Sequence, residues 1–283
     1  MNVLSIQSLV AYGHAGNSAA LFPLQRLGVE VWPVMTVHFS NHTGYGAARG
    51  PLLSAADIAE VIAGVEDRGA LERCDAVLSG YQGAEDVGEV ILQTVRTVKR
   101  RNPRAIYACD PVMGDVGRGF FVRPGIPEFM RDKVVPAADV VTPNLFELGY
   151  LTGTEPSTLE DVLAAAQALR SRGPETVLVT SVLHDRTPED TLEMVVVSGT
   201  GAWVTRTPRL PIDPPGAGDL TAAVFLAHLL AGHELPEVLS RTASSVLAVV
   251  QATADAGSRE MRIVESQDAL VAPPTRIKAT RLA

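Results

Sequence analysis

Three features of the sequence predict an α/β protein with a mostly parallel central sheet and helices on both faces. Short apolar runs alternate with longer segments of helical period, the pattern of strand–helix–strand crossovers. The strands read as continuous apolar runs instead of alternating ones, as expected where both sheet faces are covered. Late in the chain, two runs are separated only by Gly199-Thr200-Gly201, which suits an antiparallel hairpin.

The elements follow in order. Residues 3–7 read as a buried strand, 16–27 as a helix and 29–37 as a second strand. Ser54 and Asp57 have capping-box spacing and open a helix to about residue 68. A short strand over 76–79 precedes a helix over 85–101, ended by Asn102-Pro103. Strands are expected at 105–109, 140–142 and 177–181. A helix capped from Ser157 to Glu160 and ended near Gly173-Pro174 lies between the last two. The hairpin strands span 193–198 and 203–206, and two helices follow over 218–232 and 235–254. The tail from Gly257 is read as a short final helix packed on the body. No linker, low-complexity block or fixed-period repeat divides the chain, so residues 1–283 are read as one domain.

Composition narrows the function classes. At 46% hydrophobic residues, the chain can bury a large core, and its net charge of −8 disfavours nucleic acid or an acidic membrane as partner. The longest apolar stretch, 220–231, is too short to span a bilayer. The first residues carry no basic region or cleavage site, so a cytoplasmic protein is expected. Cys74 and Cys109 are distant, lack metal-type spacing and each precede an aspartate, which marks them as buried structural thiols.

The most informative stretch is Pro214-Pro215-Gly216-Ala217-Gly218-Asp219, followed by the apolar helix. Free N–H groups at a helix start favour anionic oxygen, and glycines admit a phosphate close to the backbone. A carboxylate beside that nest can take a proton from a hydroxyl attacking phosphorus. The same spacing also serves a tight turn whose aspartate caps a helix.

Ligands of open α/β sheets bind beyond the carboxyl ends of the strands. Ser8 is expected just after the first strand, Asp110 and Thr142 at the ends of two others, and Thr180 at the end of another. Asp110 could simply form a turn before Pro111, and Glu147 could be a first-turn carboxylate in a helix capped by Asn144. Together they offer two carboxylates to Mg²⁺, which keeps several waters and takes one or two carboxylates alongside phosphate oxygens. Residues 110–124, with Gly114, Gly117, Gly119, Arg118 and Arg123, are either a solvated loop or a flap shielding phosphates from water. Phe39-Ser40-Asn41-His42-Thr43 joins an aromatic ring to hydrogen-bonding groups, as a small heteroaromatic ligand needs. His14 and His42 have no carboxylate at a recognisable spacing and are given no role as base or metal ligand.

Seven segments carry a resemblance. Ile6–Ser8, Tyr12–Ser18, Phe39–Thr43, Leu78–Tyr81, Cys109–Gly114, Pro143–Glu147 and Gly216–Asp219 stand in the order seen in pyridoxal kinases of the ribokinase-like superfamily. The resemblance spans about residues 2–255. It implies ATP-dependent phosphorylation of the 5′-hydroxymethyl group of pyridoxal, with pyridoxine and pyridoxamine as further acceptors, in vitamin B6 salvage. Asp219 resembles the catalytic base, and Gly216, Ala217 and Gly218 the anion hole for the γ-phosphate. Ser8, Thr43 and Gly44 resemble the groups that meet the pyridine ring's polar edge, and Phe39 and Tyr81 its apolar walls. Asp110, Thr142, Glu147 and Thr180 match ATP and Mg²⁺ positions, the metal being held through water by Asp110 and Glu147. Arg206, Thr207, Pro208 and Arg209 correspond to a segment beside the nucleotide. A monovalent cation such as K⁺ and a homodimer are further family traits. Departures are Thr180 where bacterial relatives often carry lysine, Pro215 in place of the usual valine, and a shorter 203–219 segment. A hydroxymethylpyrimidine kinase shares the fold and the anion hole but usually lacks the Ser-Asn-His-Thr loop. A vitamer-binding protein of low turnover is the alternative of another class. A dinucleotide-binding oxidoreductase is disfavoured because no Gly-x-Gly-x-x-Gly follows the first strand.

Overall fold

The computed structural model describes residues 1–282. In chain order the elements are β1 (Asn2–Val10), α1 (Asn17–Arg26), β2 (Glu30–Phe39), α2 (Ala55–Glu66), β3 (Ala76–Ser79), α3 (Glu85–Arg101), β4 (Ile106–Cys109), β5 (Gly114–Asp115), β6 (Gly119–Phe120), α4 (Ile126–Phe129), α5 (Val135–Ala137), β7 (Val140–Val141), α6 (Leu145–Thr152), α7 (Leu159–Arg170), β8 (Thr176–Val182), β9 (Thr191–Ser198), β10 (Gly201–Pro208), α8 (Ala217–Leu230), α9 (Leu235–Asp255), α10 (Gln267–Val271) and β11 (Thr280–Arg281).

Nine strands form one sheet in the order β11-β10-β9-β8-β7-β4-β3-β1-β2, and β5 and β6 pair separately. From β2 to β8 all pairings are parallel, while β9, β10 and β11 add an antiparallel edge. The chain starts at β1 and fills in on both sides of it, so the strand order reverses there. That reversal opens a crevice at the carboxyl ends of the strands.

Side chains alternate between two cores because successive residues of a strand point to opposite faces. Leu4 and Ile6 of β1, Val77 of β3 and Tyr107 of β4 join Ile58, Ile91, Leu148 and Val162 from the helices of one face. Val3, Ala76, Leu78 and Ala108 turn the other way, onto Leu24, Phe225, Val238 and Leu270. In α8 every residue from Leu220 to His228 is buried. Its apolar surface all round marks a central helix covered on all sides, and no helix among the described residues is long and apolar enough to cross a membrane. Both thiols are free and buried, and burial pushes Cys74 up to about 11 and Cys109 up to about 12.

Four expectations are corrected here. β1 continues past Gln7, with a register shift between Gln7 and Leu9 that sets Thr36 and Val37 of β2 against Ser8, so Ser8 lies inside the strand and not after it. The helix cap expected from Ser157 sits at Thr158, whose hydroxyl accepts the Asp161 N–H while Asp161 returns a bond to the Thr158 N–H. The tail holds α10 but also β11, which pairs with Trp203 and Val204 of β10. Residues 114–120, expected to be a loop or flap, make the small β5–β6 hairpin.

Candidate active site

A cleft of about 630 Å³ opens at the carboxyl ends of the parallel strands, within the range of small-molecule sites. Every residue assigned to catalysis or substrate from the sequence lines it: Ser8, Phe39, Thr43, Gly44, Tyr81, and Gly216 to Asp219. So do Asp110, Thr142, Glu147 and Thr180. Arg206, Thr207, Pro208 and Arg209 do not. They lie on β10 and just after it, where Arg206 Nε donates to the buried Glu193 carboxylate at 2.6 Å and Thr207 Oγ1 donates to the Leu192 carbonyl. Glu193 also meets His184 Nε2 at 3.0 Å. Arg206 therefore compensates a buried carboxylate.

The floor of the cleft is the start of α8. Gly216 caps the helix in the left-handed region (φ +86°), and a Cβ built on it would lie 2.0 Å from the His14 carbonyl oxygen. Only glycine allows that turn and that approach. The Ala217 N–H reaches Pro214 O only at 3.4 Å. The first-turn N–H groups of a helix have no intrahelical acceptors, so this turn presents donors to the cleft. Asp219 follows within the first turn. Its Oδ2 accepts the Gly16 N–H at 2.8 Å, which orients the carboxylate and leaves Oδ1 for other partners. Gly16 in turn abuts Ser8: at φ +56° its missing Cβ would lie 2.3 Å from both the Ser8 carbonyl oxygen and Oγ. A single chain of contacts thus links Ser8, opposite the irregularity in β2, to the head of α8.

Two more carboxylates face the same cleft. Asp110, buried after β4, accepts the Thr142 hydroxyl at 3.0 Å. Burial raises its pKa well above the usual range, and the nearby Glu147 and Asp219 charges raise it further. Glu147 completes a capping box with Asn144 at the head of α6 and also accepts the Met113 N–H at 2.8 Å. Burial lifts it to about 7 against these hydrogen bonds, which pull it down. Asp219, partly open to the cleft, is pushed up to about 6, again by burial.

Three carboxylates, each made more basic by burial, fit a cation that shares their charge. Among the described residues no cluster of three or more His, Cys, Asp or Glu can grip a metal directly. The donor set therefore suits an ion held through water, such as Mg²⁺ alongside phosphate oxygens. A consequence follows for the ligand-free protein. The unfolded Asp110 ionises near pH 4, but the folded one holds its proton to higher pH, so its contribution to stability declines as pH rises through that interval. Asp110→Asn should raise the Tm of the ligand-free protein at pH 8 relative to wild type, and the difference should shrink toward pH 4. Thermal melts at both pH values check this; a variant less stable than wild type at pH 8 would show that Asp110 is paid back by contacts beyond Thr142.

The β5–β6 hairpin borders the cleft, which Gly114, Asp115 and Arg118 line. Its base is tied to α6 by Asn144 Nδ2 donating to Gly114 O at 2.8 Å and by the Met113–Glu147 bond. Phe120 packs edge-on against Phe146 and Tyr150, while Arg118 and Phe121 reach the cleft. Several lining residues escaped the sequence reading. Ser181 carries a positive φ of 53° at the break in the β8–β9 register, a strained backbone of the kind found at ligand sites and invisible to pattern. Arg259 comes from the tail beyond α9, where no motif marks it. His42, given no role, lines the cleft and accepts the Gly44 N–H on Nδ1 at 3.1 Å. Burial lowers its pKa, with Arg118 adding to the effect.

A helix head with free N–H groups and a carboxylate in its first turn, set at the carboxyl edge of this sheet, is the arrangement expected of a small-molecule kinase of the ribokinase-like class. Comparison with known proteins narrows the class. The phosphomethylpyrimidine kinase family model matches residues 52–263. A pyridoxal kinase from Rubrobacter xylanophilus is 60% identical over 284 residues, covering 100% of this chain and 98% of its own. One from Leifsonia xyli is 56% identical over 282 residues, covering 100% of both. The structure of a pyridoxal kinase from Leishmania donovani in complex with ADP and pyridoxamine superposes with a TM-score of 0.93 at 29% identity, over 100% of this chain and 99% of that one. The chain belongs to the pyridoxal kinase family.

Proposed function

We propose that this kinase transfers the γ-phosphoryl group of ATP to the 5′-hydroxymethyl oxygen of pyridoxal, with pyridoxine and pyridoxamine as related acceptors. The observation that carries the reading is the continuity of the cleft. The head of α8 lies between a polar and aromatic end, with Ser8, Phe39, Thr43 and Tyr81, and an acidic end, with Asp110, Thr142, Glu147 and Thr180. In this reading the hydroxymethyl oxygen attacks Pγ and the bond from Pγ to the β-phosphate oxygen breaks. ADP leaves, and the hydroxyl proton passes to Asp219. The N–H groups at Gly216 to Gly218 receive the charge that builds on the transferring phosphoryl oxygens. Mg²⁺ would be held through water by Asp110 and Glu147 and would neutralise phosphate charge. A homodimer in the cytoplasm completes the reading, in keeping with the family.

The deciding assay is ATP-dependent phosphorylation of the three B6 vitamers and of hydroxymethylpyrimidine, side by side. Hydroxymethylpyrimidine as the preferred acceptor would favour the second reading, which the family-model match keeps in play. Ser8 and Thr43 test the acceptor end. A hydroxyl can both donate and accept, which suits a ring offering a nitrogen and a phenolic oxygen. Leaving such a partner unpaired costs about 1–3 kcal/mol. Ser8→Ala and Thr43→Ala should each weaken pyridoxal binding roughly tenfold with ATP affinity unchanged. Titration calorimetry with pyridoxal, and separately with a non-hydrolysable ATP analogue, reads both; lost ATP affinity with intact pyridoxal binding would reverse the two ends of the cleft.

A further inference from the structure

The two residues Arg259 and Glu260, beyond the end of α9, touch both loops that frame the acceptor end of the cleft. Glu260 divides its carboxylate between them: Oε2 accepts the His14 N–H at 3.0 Å, and Oε1 accepts the Tyr45 hydroxyl at 2.5 Å. Arg259 donates from Nη2 to the Gly44 carbonyl, and its guanidinium lies 3.8 Å from the centre of the Tyr45 ring. Tyr45 also meets the edge of Tyr12, with ring centroids 6.1 Å apart. The dipeptide is itself held fast. Ser258 Oγ donates to the Glu260 carbonyl, the Arg262 N–H donates to the buried Thr253 hydroxyl, and Met261 and Ile263 are buried in the core beneath α8 and α9.

Both loops matter to the reaction as proposed above. The loop before α1 supplies the Gly16 N–H that orients Asp219 and the His14 carbonyl that abuts Gly216. The loop after β2 carries Thr43 and Gly44 at the cleft wall. A charge-assisted hydrogen bond and a cation–π contact are among the stronger local restraints available to exposed loops. Reactions between two bound groups lose rate steeply when their spacing drifts by about 1 Å.

We propose that Arg259 and Glu260 are positioning residues for the acceptor. Acting through Tyr45, Gly44 and His14, they fix the distance between the wall that holds the vitamer ring and the carboxylate that takes its proton. The inference rests on the proposed assignment of this end of the cleft to the vitamer.

The test uses full-length protein bearing Glu260→Ala, Arg259→Ala, Arg259→Lys or Tyr45→Phe, together with the Glu260→Ala/Tyr45→Phe double variant. The expected result is a rise of roughly tenfold or more in the pyridoxal KM for Glu260→Ala and Arg259→Ala. The ATP KM should stay within threefold of wild type. Arg259→Lys keeps the charge but loses the flat stacking surface and should recover only part of the loss. The double variant should cost little more than Glu260→Ala alone, because both residues belong to one linkage. Equal rises in both KM values, fully additive losses, or a pyridoxal KM within threefold of wild type would overturn the proposal. Should Glu260→Ala fail to fold, Tyr45→Phe and Arg259→Lys carry the same split in KM on their own. If wild type prefers another acceptor, the substrate assignment fails, and the same KM split is then read with that acceptor.

Discussion

Replacing Asp219 with asparagine is expected to slow phosphoryl transfer by about 10²–10⁴, the usual worth of a general base, while a non-hydrolysable ATP analogue binds within a few-fold of wild type. The amide preserves shape and can still accept the Gly16 N–H that orients this side chain, so the loss would isolate the proton-accepting role. The pH profile gives a second reading of the same group. With its folded pKa raised to about 6, Asp219 is an ionised base above that pH and is progressively protonated below it. Wild-type kcat/KM should therefore fall along an acid limb centred near pH 6. Since Asp110 and Glu147 titrate with it, the apparent value belongs to the three carboxylates together. The limb should flatten in Asp219→Asn. An asparagine variant within threefold of wild type would remove Asp219 from the chemistry.

Gly216→Ala is expected to be nearly as damaging without touching any ionisable group. An alanine at φ +86° pays about 1–2 kcal/mol for the left-handed conformation, and its Cβ would stand 2.0 Å from the His14 carbonyl oxygen. Either the turn at the head of α8 or the loop at His14 must move, and the same loop supplies the Gly16 donor to Asp219. Losing one aligned oxyanion donor costs about 10²–10³ in kcat. A drop in kcat of at least 10²-fold, with a Tm loss of only a few degrees, is the expected result of steady-state kinetics and thermal melts. Near-normal kcat would mean that the phosphoryl group is held by side chains and not by this backbone turn.

Much of the fold could be read from the residues because its central elements are locally consistent. The strand at Ala76–Ser79 and the helix at Glu85–Arg101 fall where their apolar period and flanking signals put them. The hairpin around Gly199-Thr200-Gly201 likewise forms as expected, with longer strands. The failures have physical reasons. The register shift opposite Ser8 arises from pairing with β2, and local pattern carries no trace of it. Ser157 and Thr158 are equally good caps by type, and only the reach of Asp161 settles which one starts the helix. At the cleft, residues that announce themselves by chemistry, such as Asp219 beside its glycines, were legible. Arg259 and Ser181 were not, because one reaches the cleft from a tail without periodicity and the other matters through its backbone. The stretch 206–209, matched by resemblance to a segment beside the nucleotide, lies outside the cleft lining, and its Arg206 donates to a buried glutamate on the neighbouring strand.

The short strand at Thr280–Arg281 bears on how this molecule keeps to itself. It sits on the outer side of β10 against Trp203 and Val204. Without it, that margin of the nine-stranded sheet would offer unpaired N–H and C=O groups beside an indole ring, a template for joining to another molecule. A chain cut before Thr280 would keep its cleft intact yet become prone to sticking edge to edge on concentration. Light scattering, not enzyme kinetics, would reveal the damage. Thr280 and Arg281 thus act as a selvedge on this margin of the sheet, at a position remote from the chemistry.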